Sequence, residues 1–186
     1  RTIAPAWPLY LAAFAIAAVV AGAVGEAFSG GSLAELGIPD PGAATTVGLP
    51  ALRGVAWLLM ALATGSFLLS AFLIPPKQTQ QDLNGARLTV DGHLASRTGA
   101  HASAGIALIG LAMIPLVLSD VSGQPLKTVL FEAAAWSQAL DQVADARVWL
   151  IVAVFAAVVA AFGYAASSWW SQVWLFVGAI VVVMPI

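Results

Sequence analysis

Residues 50–76 read PALRGVAWLLMALATGSFLLSAFLIPP, and no charged side chain falls between Arg53 and Lys77. A helix needs roughly 20 mainly apolar residues, at 1.5 Å rise each, to cross the hydrocarbon of a bilayer. Backbone groups in lipid have no water to bond to and must bond to one another, so an open run of this length folds as a helix. Pro50 suits a first helical turn and Pro75-Pro76 forbids continuation. The stretch predicts a spanning helix over 50–74.

Four more segments follow the same logic, over about 7–28, 101–119, 147–166 and 172–186, the last cut short. The whole chain of 186 residues is 61% hydrophobic and 9% charged. A soluble domain carries about 25% charged residues, so this surface does not face water. The 17 Gly and 10 Pro stay below low-complexity levels, and the apolar runs are continuous rather than alternating, which excludes disorder and an outer-membrane barrel. The expected fold is all-α: a polytopic transmembrane helical bundle of about five spans, one membrane domain over residues 1–186, with the lipid bilayer as its partner. A net charge of −2 excludes a nucleic-acid face, and the absence of cysteine removes disulfides, thiolate metal sites and Cys nucleophiles. The chain starts Arg1-Thr2 and ends Met184-Pro185-Ile186 inside an apolar run, which reads as a segment whose further partner is the remainder of a longer chain.

The few charges give an orientation. Arg1, Lys77, Arg87 and Arg97 flank one side of the spans, while the opposite loops hold Lys127 among Glu35, Asp40, Asp120, Glu132, Asp141 and Asp145. The positive-inside rule then places the N-terminus in the cytoplasm and an acidic face outside. On that outer side, residues 125–140 (PLKTVLFEAAAWSQAL) place Leu126, Val129, Leu130, Ala133, Trp136 and Leu140 at helical spacing. This predicts an interfacial amphipathic helix. Ala18/Gly22 and Ala61/Gly65 are small pairs four apart that admit close helix approach.

Catalytic motifs are missing: there is no Walker loop, GxGxxG, HExxH or GxSxG, and the chain reads as a non-enzyme. A b-type haem needs histidines on two spans. The two present, His93 and His101, fall in or at the edge of one predicted loop between spans two and three, so no haem is expected and exposed loop histidines are the plain reading. Glu26, Arg53, Asp120 and Arg147 all fall at the outer span ends. They read either as a charged vestibule that gathers a cation or as interfacial anchors with snorkelling side chains. Within this set, Glu26 and Arg53 are the expected ion pair. Met60, Met113 and Met184 fall roughly 9–14 Å below the outer ends of their spans, in one layer. Thioethers are soft neutral donors that favour Cu(I), and Pro115 opens the third helix near Met113; the competing reading is ordinary core packing.

VGLPALRGVAWLLMALATGSFLLSAFLIPP, the basic loop, GIALIGLAMIPLVLSDVSGQPL, the Trp-rich turn and a span ending VVVMPI together resemble the N-terminal membrane region of the copper resistance protein D family. In particular the chain looks like the actinobacterial form, in which that region is fused ahead of a second membrane domain similar to cytochrome c oxidase assembly factors. The resemblance implies copper ions as cargo at a bacterial plasma membrane, imported or delivered toward oxidase maturation. In that family the fifth span is expected to continue into a His-containing external segment past residue 186, so its copper-binding histidines are not carried over to any residue of this sequence. The rival expectation is a noncatalytic accessory or scaffold subunit whose partner is cytochrome oxidase or a respiratory supercomplex.

Overall fold

The computed structural model describes residues 7–29, 41–76, 86–131 and 133–185, and every regular element among them is helical. In chain order these are α1 (Trp7–Ser29), α2 (Ala43–Leu68) running into a π-helical turn (Leu69–Leu73), α3 (Val90–Ser122), α4 (Leu126–Phe131), α5 (Ala133–Gln142), α6 (Ala144–Ala165) and α7 (Trp169–Val183). Among the described residues, four stretches are long and apolar enough to cross a membrane: Pro8–Ala27, Ala43–Leu73, Val90–Ser122 and Ala144–Ala165. The chain is a helical membrane protein. The fifth expected span is α7, whose 15 residues reach about 22 Å.

Several boundaries move. The second helix begins at Ala43 instead of Pro50, which lies inside it. The third begins at Val90, eleven residues before the expected His101, because Thr89 caps it: its Oγ1 accepts the Gly92 N–H at 3.2 Å. Hydropathy marks only the part of a helix that lies in lipid, so Asp91, His93, Ser96 and Arg97 looked like loop. His93 and His101 are therefore helical residues. Trp169-Trp170 opens α7 rather than forming a turn, since Ser168 Oγ accepts the Ser171 N–H at 3.4 Å as its cap. The amphipathic helix expected over 125–140 is two short helices, α4 and α5. Arg1, Glu35, Asp40, Lys77 and Glu132, which carry part of the charge reading, lie outside the described residues.

The chain forms two compact units, one from Arg1–Leu58 and Ala112–Arg147, the other from Leu59–Leu111 and Val148–Ile186. In the first, α1 meets α2 where side chains vanish: a Cβ on Gly22 would lie 2.9 Å from Val47, and one on Gly25 would run into the Pro50 ring. Gly22 thus does what its small-residue spacing suggested. Gly65 does not, as a Cβ there meets nothing within 4 Å. Met113, Ile114, Leu116, Val117 and Val129 form the apolar interior of this unit, and the Trp136 indole N–H closes α5 onto α4 by donating to the Val129 carbonyl at 3.2 Å.

The second unit is organised around Phe67, which is fully buried. Its ring lies against Gly99 of α3, where a Cβ would be 2.9 Å away, and near Gly163 of α6. The π-helical turn follows directly. Ser70 Oγ donates to the Gly92 carbonyl at 2.9 Å and the Trp169 indole N–H donates to the Ala71 carbonyl at 2.8 Å, tying α2 to the starts of α3 and α7. An antiparallel bridge between Arg87 and Ser168 holds those two starts together. Gln172, one turn further along α7, is fully buried, and among the described residues neither of its amide atoms, nor the buried Ser96 hydroxyl on α3, has a hydrogen-bond partner.

Candidate functional site

Polar chemistry gathers at one end of the first unit. Thr45 and Ser119 are both fully buried, their hydroxyl oxygens 2.7 Å apart, and Ser119 Oγ donates at 2.7 Å to the Gln124 carbonyl. A hydroxyl has one hydrogen. Ser119 spends its own on Gln124, so Thr45 is the donor in the pair. The chain Thr45→Ser119→Gln124 anchors the start of α2 to the end of α3 and the turn beyond it.

Beside this relay a cleft of about 440 Å³ opens between α2, α3 and the α5–α6 junction. Arg53 contributes from α2, Val117 and Asp120 from α3, and Gln142 and Asp145 from the junction. Arg53 and Asp145 form an ion pair at 2.9 Å, with 43% and 61% of their side-chain surfaces exposed. Asp145 stands in the first turn of α6, where the helix dipole favours a carboxylate. Exposed pairs of this kind contribute about 0–1 kcal/mol, so the pair serves geometry more than stability. It neutralises Arg53 and Asp145 and, among the described residues, leaves Asp120 as the cleft-lining charge without an ion-pair partner.

Of the four charges expected to make a vestibule, Arg53 and Asp120 share this cleft, whereas Glu26 on α1 and Arg147 on α6 are exposed and do not line it. The expected Glu26–Arg53 pair is replaced by Arg53–Asp145. Asp145 was legible as one of the acids of its loop, and its partner was not. That partner lies 92 residues earlier in the chain, beyond the reach of any local spacing.

The three methionines are placed as follows. Met113 is fully buried in the first unit; Met60 is 2% exposed in the second; Met184, just past α7, is 77% exposed. Met113, Val117 and Asp120 stand at i, i+4 and i+7, so they share one face of α3, with Met113 about 10 Å along the axis from Asp120. Val117 is both cleft wall and core. Among the described residues, no three His, Cys, Asp or Glu side chains come together as a metal-binding group.

His93 is exposed on α3, and His101 bonds through Nδ1 to the Arg97 carbonyl at 2.6 Å. The second unit also has an apolar groove of about 560 Å³ between α6 and α7, walled by Phe155, Val158, Phe162, Trp174 and Leu175. No family model, curated protein or solved structure matches the chain.

Proposed function

We propose that this protein handles copper at a bacterial plasma membrane, importing it or passing it toward cytochrome c oxidase maturation, without catalysing a reaction. In this reading the N-terminus is cytoplasmic and the Asp120 cleft faces outward. The observation that carries it is the single face of α3 shared by Asp120 in the cleft and Met113 in the core. A hard carboxylate attracts the hydrated cation at the mouth, and a soft thioether deeper in the apolar interior favours Cu(I) over the harder ions. Pro115 lies between them and leaves the Leu111 carbonyl without its helical donor, a further polar group on the way. The likeness of the LPALR, FLIPP and SDVSGQPL segments to the copper resistance protein D family points the same way.

The test is Cu(I) binding by the purified full chain in nanodiscs, against a colorimetric Cu(I) chelator. Met113→Leu keeps side-chain volume and removes the sulfur; Asp120→Asn keeps shape and removes the charge. Copper handling predicts that the first weakens equilibrium binding and the second slows loading.

A second reading has its own observation. The groove between α6 and α7 is lined by apolar side chains with Ser171 among them, and only 6% of the Pro8–Ala27 window is buried. Surfaces of this kind suit the helices of another membrane protein, as in an accessory or scaffold subunit of a respiratory complex. Co-purification with cytochrome oxidase, unaffected by Met113→Leu or Asp120→Asn, is the result that favours it.

A further inference from the structure

We propose that Arg97, His101 and Tyr164 form a site for the phosphate headgroup of an anionic phospholipid. Arg97 and His101 stand at i and i+4 on α3, on one helix face. Tyr164 comes from the last turn of α6. The Arg97 guanidinium carbon lies 5.4 Å from the centroid of the Tyr164 ring, and the His101 ring meets the same tyrosine edge-on at 5.2 Å. The carbonyl of Arg97 accepts from His101 Nδ1 at 2.6 Å, which fixes the imidazole and, through it, the tyrosine. Three side chains from two spans are thereby held around one point.

No described residue supplies an anion to the guanidinium at that point. Among the described residues the sole ion pair is Arg53–Asp145, and no carboxylate lies within 4 Å of Arg97. Arg97 is half-buried, where a cation loses hydration and gains most from a counter-ion. Its setting supplies one. Residues 98–119 contain no Asp, Glu, Lys or Arg and extend about 33 Å as a helix, the thickness of a bilayer's hydrocarbon. Arg97 therefore stands at the border of the apolar stretch, and the aromatic residues of that border agree. Tyr164 ends α6, and Trp169, Trp170 and Trp174 succeed one another in ring contact at the start of α7, as in an interfacial belt.

The anion abundant at this depth is lipid phosphate. The guanidinium fork matches two phosphate oxygens, and the Tyr164 hydroxyl, which has no protein partner among the described residues, supplies a third donor. His101 is the positioning residue, since it touches both other members. The acyl chains of such a lipid lie along the exposed apolar surface of α3 and α6, which includes Leu108, Ile151 and Val158.

The test is lipid retention by the full chain in detergent, read by native mass spectrometry after addition of phosphatidylglycerol, phosphatidylcholine or inorganic phosphate. Wild type is expected to hold phosphatidylglycerol preferentially. Arg97→Gln should lower that retention about ten-fold, the effect of losing a charge-assisted hydrogen bond to phosphate. Tyr164→Phe keeps the ring contacts and should lower it less, while Arg87→Gln, outside the site, should leave it unchanged. Should Arg97→Gln prove unstable, Tyr164→Phe against Arg87→Gln remains decisive. Equal retention of the two lipids, equal loss in Arg87→Gln, or full displacement of phosphatidylglycerol by millimolar inorganic phosphate overturns the proposal.

Discussion

The Trp169 indole N–H donates to the Ala71 carbonyl at 2.8 Å, and that carbonyl has no helical donor because Pro75 and Pro76 occupy the positions four and five residues on. A buried carbonyl left alone costs about 1–3 kcal/mol. The side chain that opens α7 thus completes the hydrogen bonding at the end of α2, across 98 residues.

This relationship predicts a coupling. Trp169→Phe should lower stability by about 1–3 kcal/mol, the cost of an orphaned acceptor. Pro75→Ala restores an N–H four residues after Ala71, so the same Trp169→Phe change should cost measurably less in that background. Thermal unfolding of the four proteins in one detergent gives the double-mutant cycle.

Gln172 predicts the opposite sign. Its amide is fully buried, with neither atom bonded to any described residue. Gln172→Leu exchanges an unsatisfied amide for an apolar group of similar size, and the expected gain is about 1–3 kcal/mol, seen as a higher melting temperature.

The hydroxyl relay ranks two substitutions. Ser119 both accepts from Thr45 and donates to Gln124, whereas Thr45 stands at the end of the chain. Ser119→Ala strands the Thr45 hydroxyl and the Gln124 carbonyl and should destabilise more than Thr45→Val, which leaves Ser119 bonded to Gln124 and strands only a lone pair of its hydroxyl. The expected difference is about 1–2 kcal/mol, from the cost of an unmet buried polar group.

Phe67 and Gly99 predict a packing rescue. A Cβ at Gly99 falls 2.9 Å from the Phe67 ring, so Gly99→Ala should cost about 1–3 kcal/mol by overpacking. Phe67→Leu frees the space, and the double substitution should be more stable than the sum of the single changes predicts. Circular dichroism melts of the three variants measure it.

Fold class was legible because it depends on composition and run length: an uncharged stretch such as 54–76 has one solution in lipid. Helix starts were less so. Thr89 caps α3 in front of polar residues that hydropathy assigns to a loop, and Ser168 caps α7 where two tryptophans suggested a turn. In both places a local hydrogen bond outweighs the polarity signal. The site was half legible. Arg53 and Asp120 were visible as charges at span ends, but their company depends on tertiary placement, which gave Arg53 the carboxylate of Asp145 and left Glu26 apart. Met113 and Asp120 share a face by arithmetic alone, and it took the structure to show that one is core and the other cleft.

Copper handling is tested most directly by equilibrium Cu(I) titration of the purified chain in nanodiscs against a competing chelator, with Met113→Leu alongside Met184→Leu. The account predicts that wild type and Met184→Leu withdraw Cu(I) from the chelator and that Met113→Leu does so far less well. Failure of the wild type to withdraw Cu(I), or equal binding by Met113→Leu, contradicts it.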